Sequence, residues 1–533
     1  MGGRNARYRP VYAGGKGYDR GCFWRAAREG RGREGVGVVE EQGALGEGAA
    51  RARVVGFDPQ ARVWVTEAGA GEGPEGLVSV PPLEGVLVAD EGGDDADDFG
   101  HYVHRTPGGV LRTRSVEDIA AMIRFCNAYR IEVAARGQGH GTYGQMQVAG
   151  GLVVETGLLD GIGPVRKRNG ARSTTGLVTV GAGALWSAVA RKTLQYGLTP
   201  PVFTDYLELS VGGTLSVGGL GGQTHRFGAQ VDNVEALEVV TGTGDVVRCS
   251  PAREPELFRA VLAGLGQCAV IVSATLRLVT APENVRHFLL PYPDLETFLA
   301  DQRILAEDGR FGYVEGMVEP DEEGAYTKYV LEATAYGPPA GPQRSDEELL
   351  RGLWYDRSGP VTAETLSYFD FIDRLAPGVA GLKHDGYWTW SHPWLDVLLP
   401  GDRAAELSGA LLDGLAGQEL GPGGIVLLYP LVRRHLRTPL LRVPDDPVPY
   451  LMAVLWALNP ADRAAVSARI EANHTTYETV RAAGGTQYPV GAVPMTAADW
   501  RGQYGKAWEE FAAAKRRYDP HRLLAPGQHV FTA

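Results

Sequence analysis

Cysteine is scarce in this chain: four in 533 residues (Cys22, Cys126, Cys249, Cys268), scattered and never at C-x-x-C spacing. A disulfide framework is therefore excluded. Long apolar runs are also lacking, and without 18 consecutive apolar residues there is no spanning helix and no membrane partner. Basic charge is in deficit, with 52 Lys and Arg against 64 Asp and Glu, a net charge of −12. That balance argues against a nucleic-acid partner. The first 33 residues do hold nine Lys or Arg against Asp19 and Glu29, but no apolar stretch follows as a secretory leader requires. A cytoplasmic location is expected, with secretion as the alternative. Glycine is what the chain has in excess: 73 residues, beside 33 prolines. Together they stay below the level of about 25–30% at which disorder becomes the default.

Length alone implies two to four domains. Residues 1–77 carry no helical or strand period and read as an unordered, dispensable extension. From Val80 the pattern becomes regular. Ser115-Val-Glu-Asp118 forms a capping-box signature ahead of Val116, Ile119, Ile123 and Cys126 at helical spacing. Short β runs follow at 131–136, 152–155 and 177–180, with a helix over 184–196 closed by Gly197. A hairpin is expected over 237–248, a helix over 254–262 and a long strand over 268–279. The texture changes after Ala281-Pro282, a boundary signal. Thr496 caps a last helix carrying Trp500, Tyr504, Trp508 and Phe511 on one stripe. Short strands with interleaved helices make an α+β chain.

Three glycine-rich loops stand out: Gly137, Gly139 and Gly141 around His140; Gly212 to Gly222; and Gly264 with Gly266. Glycine lets main-chain N–H groups approach an anion closely, so three such loops suit a pyrophosphate. Any one alone is equally a set of tight turns. Gly181-Ala-Gly183 lacks the third glycine of a dinucleotide fingerprint, since Trp186 stands there. No G-x-S-x-G elbow is present, and His101 with His104 do not form a metal site. His140 reads as a turn residue or a reactive group. Asp205 sits in Pro200-Pro-Val-Phe-Thr-Asp205-Tyr-Leu, where a charge is costly unless paired; a cap after the prolines is the alternative. Glu315, in Tyr313-Val-Glu315-Gly316, is either functional or on a solvated face.

Arg136-Gly-Gln-Gly-His140-Gly-Thr-Tyr-Gly144-Gln145 with Gly150-Gly-Leu-Val-Val-Glu155 resembles the flavin-attachment segment of the vanillyl-alcohol-oxidase-type (PCMH-type) FAD family, and within it the cytokinin dehydrogenases. Val202-Phe-Thr-Asp205, Val211-Gly-Gly-Thr-Leu-Ser216, Gly222-Gln-Thr-His-Arg-Phe-Gly228, His392-Pro-Trp-Leu395 and the ending Tyr518 to Gln528 are similar in order and spacing. The resemblance covers 78–533. It implies a two-domain flavoprotein: an FAD-binding domain over 78–280, a sheet-plus-helices substrate domain over 281–487, and a segment over 488–533 that returns to the first. It also implies FAD covalently linked through His140, by a single bond, since Val211–Gly228 offers no cysteine. The implied cofactor-binding set is Arg136, Gly137, Gln138, Gly139, His140, Gly141, Gln145, Thr204, Asp205, Gly212, Gly213, Thr214, Ser216, Gly219, Gly222, Val270, Ile271, Tyr488 and Gln528. Asp205 is implied as the catalytic base, with Glu315 assisting; Glu315 and Trp394 would line the way to the substrate.

Three positions depart from the family pattern: Gly141 replaces a serine, Phe203 a tryptophan, and Pro489-Val-Gly-Ala492 replaces Leu-Pro-His-Tyr after Tyr488. The implied activity is oxidation of the CH–NH group of an N6-substituted adenine to an imine, which water splits into adenine and an aldehyde. A small-molecule substrate and an electron acceptor, oxygen or a quinone, are the expected partners. Oxidation of another amine or an alcohol is the alternative, and a flavin-binding protein without turnover a third.

Overall fold

The computed structural model describes residues 51–531 apart from 70–75, 91–92, 170–173, 338–343 and 360. Among the described residues, no helix is long and apolar enough to cross a membrane.

Four sheets organise the chain. A four-stranded sheet runs in the order Val86–Val88, Gly109–Arg112, Leu152–Glu155, Val133–Arg136, its last three strands parallel. The helix Val116–Tyr129 makes the crossover. It begins where the sequence indicates: Ser115 accepts from the Asp118 amide and Asp118 reaches back, a reciprocal cap. Asp118 also accepts from the amides of Glu84 and Gly85, so the cap ties down the preceding loop. A six-stranded sheet is centred on Ala269–Thr280, flanked by Val234–Thr241 and Thr174–Gly181. Pairing in that sheet skips Val272. The bulge changes which alternate residues face the main core: Ala269 and Ile271 before it, Ala274, Leu276 and Leu278 after it, while Val270 and Val272 pack with the crossover helix.

An eight-stranded antiparallel sheet is drawn wholly from residues 284–487. Its order is Thr362–Ser367, Asn284–Tyr292, Tyr326–Tyr336, Tyr313–Pro320, Ile425–Pro430, Tyr450–Leu455, Leu395–Leu399, Thr486–Gln487. The largest core joins this sheet to the six-stranded one, since Tyr313, Leu398, Tyr429 and Tyr488 pack with Val211, Leu215 and Ile271. The C-terminal segment returns to the first half of the chain. Val133 exchanges main-chain hydrogen bonds with Leu523 and Ala525, and the buried Lys515 ammonium donates to the Gln267 carbonyl at 2.8 Å.

Two expectations need correction. Residues 1–50 lie outside the described residues, but the chain is folded well before residue 78. Val54–Asp58 and Val63–Thr66 pair with each other, and Val78–Ser79 joins them. Phe57 is buried, and Trp64 stacks on Phe125 of the crossover helix at 6.0 Å. The last helix is two: Ala497–Tyr504 and Trp508–Tyr518, parted at Gly505, whose φ of +49° a continuous helix cannot hold. The aromatic stripe survives the break, because Tyr504 and Phe511 remain edge to face at 4.9 Å.

Candidate active site

Between the first half of the chain and the eight-stranded sheet lies a cavity of about 390 Å³, inside the range of about 300–1,000 Å³ usual for ligand pockets. One wall is the loop Gly137–Gly141 at the end of the strand Val133–Arg136. Among the described residues, the amides of Gln138 to Gly141 donate to no protein acceptor. Gly139 has a φ of +70°, and a Cβ there would collide with the Arg136 guanidinium. The backbone there turns as only glycine easily permits. Gly212, Gly213 and Gly266 add further glycine backbone to the same wall.

His140 projects into an aromatic box. Its ring stacks on Phe99 at 4.0 Å, and the other face of Phe99 stacks on His392 at 3.8 Å. Tyr206, Trp388 and Trp394 close the sides at 5.4–5.9 Å from the imidazole. Burial, with His392 and Lys383 adding to it, pushes the His140 pKa down to about 3, so the ring is neutral at physiological pH.

Asp205 stands at the cavity wall with its side chain 20% exposed. The pairing that a charge in this apolar sequence context requires is present in the folded chain. Its Oδ1 accepts from the Tyr313 hydroxyl at 2.8 Å and from Arg374 Nη2 at 2.9 Å. Behind it runs a buried polar row built by strand register. Glu315 pairs across from Glu332, and His287 across from Glu364. Arg374, from the turn after the helix Tyr368–Ile372, reaches in to bond Glu332 Oε1 at 2.9 Å, and His287 Nε2 meets the same oxygen at 2.9 Å. Tyr313, two residues before Glu315 and on the same strand face, contacts both carboxylates.

The charges in this row are unequal. Burial raises Glu315 well above the carboxylate range and the Asp205 charge raises it further, so Glu315 carries a proton. Glu332 is also buried, but Arg374 and His287 outweigh the burial and hold it low. Asp205 lies between: burial raises it, Arg374 opposes, and the outcome is a carboxyl above its ordinary value. A carboxylate poised this way, open to a cavity, is suited to accept a proton from a bound ligand.

Of the residues singled out from sequence, Arg136 to Gly141, Gln145, Thr204, Asp205, Gly212, Gly213, Thr214, Ser216, Val270, Ile271, Trp394, Tyr488 and Gln528 line the cavity. Three lie off the lining. The Gly219 amide donates to the Tyr488 hydroxyl at 2.9 Å, and Gly222 packs flat against the Tyr313 ring, so both are supports. Glu315 is 1% exposed, neither on a solvated face nor on the cavity wall, and contacts the Tyr313 hydroxyl. Sequence reasoning did not reach Arg374, Glu332, His287, Phe99 or Asp396. The last is a buried carboxyl lining the cavity, its Oδ2 without a hydrogen-bond partner, and burial pushes its pKa up to about 8. His101 and His104 both meet Asp97, through Nδ1 at 2.6 and 3.3 Å.

The fold is that of VAO-type flavoproteins. The crystal structure of the VAO-type flavoprotein MtVAO615 from Myceliophthora thermophila superposes with a TM-score of 0.63 over 79% of each chain, at 18% identity. A family model described as FAD binding domain matches residues 107–250, and one described as cytokinin dehydrogenase 1, FAD and cytokinin binding, matches 320–531. Cytokinin dehydrogenase 8 of Oryza sativa subsp. japonica is 36% identical over 82% of this chain and 90% of its own. An uncharacterized oxidoreductase, ORF5 in the fasciation locus of Rhodococcoides fascians, is 40% identical over 81% of this chain and 95% of its own. The chain belongs to the cytokinin dehydrogenase family of FAD-dependent oxidoreductases.

The residues present fit FAD. The unpartnered amides of Gln138–Gly141 and the glycine backbone of Gly212, Gly213 and Gly266 offer a main-chain cradle for a pyrophosphate. Apolar Val270, Ile271 and Leu265 suit a flat ring system beside it.

Proposed function

We propose that this protein oxidises the CH–NH group of an N6-substituted adenine to an imine that hydrolyses to adenine and an aldehyde. The observation that carries the reading is Asp205, a carboxylate with a raised pKa at the cavity wall, oriented by Arg374 and Tyr313. When bound, FAD supplies the two-electron oxidation of the carbon next to nitrogen. Asp205 accepts the N–H proton from the substrate amine. Arg374 and Tyr313 fix its rotamer, and protonated Glu315 keeps a second negative charge away from it. Trp388 and Trp394 exclude water and offer flat apolar faces to a planar heterocycle. His140, whose imidazole is neutral, would hold the flavin covalently.

The names of the relatives support the adenine side of this reading. Pro489-Val-Gly-Ala492 supports the second reading, an FAD-linked oxidase for another amine or an alcohol, because it changes the wall beside Tyr488. Anaerobic mixing of the purified protein with a panel of N6-substituted adenines, simple amines and alcohols decides between them. Bleaching of the flavin absorbance by the adenines alone is expected. Bleaching only by alcohols or unrelated amines would overturn the adenine assignment and leave the oxidoreductase class standing.

A further inference from the structure

Past the strand Ile425–Pro430 the chain turns through Arg433–His435 before entering Tyr450–Leu455. Residues 433–442 hold four arginines and no acid, in a chain whose net charge is −12. Arg433, Arg434, Arg437 and Arg442 line a cavity of about 270 Å³ with Leu436, Thr438, Pro439 and Leu441. It is separate from the flavin cavity and shares no lining residue with it. The Nε atoms of Arg433 and Arg442 are buried with no hydrogen-bond partner. The bonds these side chains do make go to neutral carbonyls: Arg433 to Leu436 at 2.8 Å, Arg442 to Pro439 at 3.4 Å, Arg437 to Asp232 O at 3.5 Å. The Asp232 carboxylate is committed elsewhere, since its Oδ1 accepts from the Arg437 and Thr438 amides and the Thr438 hydroxyl, and its Oδ2 from the Ala229 amide. It shapes the loop without neutralising a guanidinium.

Arg433 and Arg442 are partly buried with unpartnered Nε atoms, beside the exposed Arg434 and Arg437, so four positive charges crowd one small cavity, and a guanidinium fork matches an oxyanion in two-point geometry. Burial and the neighbouring Arg433 already weaken the hold of Arg442 on its proton, with Asp445 opposing. We propose that this cavity binds a small multivalent oxyanion, phosphate or pyrophosphate. The site stands independently of the assigned redox substrate.

The test uses the flavin-loaded protein, in which the flavin's own pyrophosphate cradle is already filled. Inorganic phosphate and pyrophosphate are titrated at constant ionic strength while the melting temperature and binding heat are followed. A saturable rise with either ion is expected, and the stronger of the two identifies the ligand's charge. Arg442→Gln and Arg433→Gln should each weaken it by about tenfold, the effect of losing one charge-assisted hydrogen bond. Arg434→Gln, at the exposed rim, serves where an interior variant fails to fold, and should also weaken it. A response no larger than that to chloride, or one unchanged in all three variants, overturns the assignment.

Discussion

Asp205 shares Arg374 with Glu332, and that sharing sets its charge. One guanidinium serves both carboxylates, so Asp205 is attracted less than in a private ion pair, and burial wins. A base must be unprotonated to act. The rate of flavin bleaching by substrate should therefore rise with pH and level off only above the ordinary aspartate range. Asp205→Asn keeps shape and hydrogen bonding but cannot take the proton. Rapid anaerobic mixing should show bleaching slowed by about 10²-fold or more, with flavin content unchanged. A rate near wild type would remove Asp205 from the chemistry. Asp396 makes a second prediction at the same scale. Its folded pKa of about 8 lies above the unfolded value, so the folded state holds the extra proton. Its contribution to stability is thus fully present below about pH 4 and is lost as pH climbs towards 8. Asp396→Asn is neutral throughout. The melting temperature of the variant, relative to wild type, should increase from pH 5 to about pH 8 and level off above it; a constant difference across that range would show that Asp396 finds a donor.

At the scale of elements, what could be read in advance and what could not divide along a physical line. Local signals were legible: the Ser115 cap, the alternation along 268–279, the glycines that end strands at the cofactor loop. Each is written within a dozen residues, where capping and side-chain period act. The Asp205 network was not, because Arg374 and Glu332 belong to no motif and reach the site only through strand register and a turn. Glu315 was noticed while its partner across the sheet was not. Val54–Asp58 was missed for another reason: a glycine-rich, basic leader masks a five-residue strand whose apolar contacts lie some 70 residues ahead on Phe125 and Tyr129. This changes the expectation for the N-terminus. A chain beginning at Ser79 loses Phe57 and Trp64 from the crossover helix, and burying one such aromatic contributes about 1.5–3 kcal/mol. Its melting temperature should fall by several degrees against a chain beginning at Arg51. Equal melting of the two would mean that the small sheet only rests on the domain.

At the scale of the whole molecule, the cofactor site is where two halves of the chain meet. The glycine loop with His140 follows a strand of the four-stranded sheet, whereas Tyr429 and Asp396 come from the eight-stranded one and Trp394 from the residue just before its strand Leu395–Leu399. A cofactor seated there touches both halves and stabilises the folded state by mass action, more strongly the more tightly it is held. A covalent bond through His140 would make that occupancy permanent. The imidazole is suited to it: stacked on Phe99, neutral, and hydrogen-bonded to no protein atom among the described residues. Wild-type protein denatured in acid or guanidinium should keep its yellow colour through gel filtration, while His140→Ala releases free FAD. The variant should still fold, because the His140 side chain is only partly buried, and should bind FAD reversibly through the same backbone cradle. Its melting temperature should then depend on added FAD, which that of wild type should not. If wild-type flavin separates on denaturation, the bond is absent and the aromatic box merely packs the ring. If the variant neither folds nor binds FAD, His140 is part of the wall itself, and the two halves depend on its side chain rather than on the cofactor it holds.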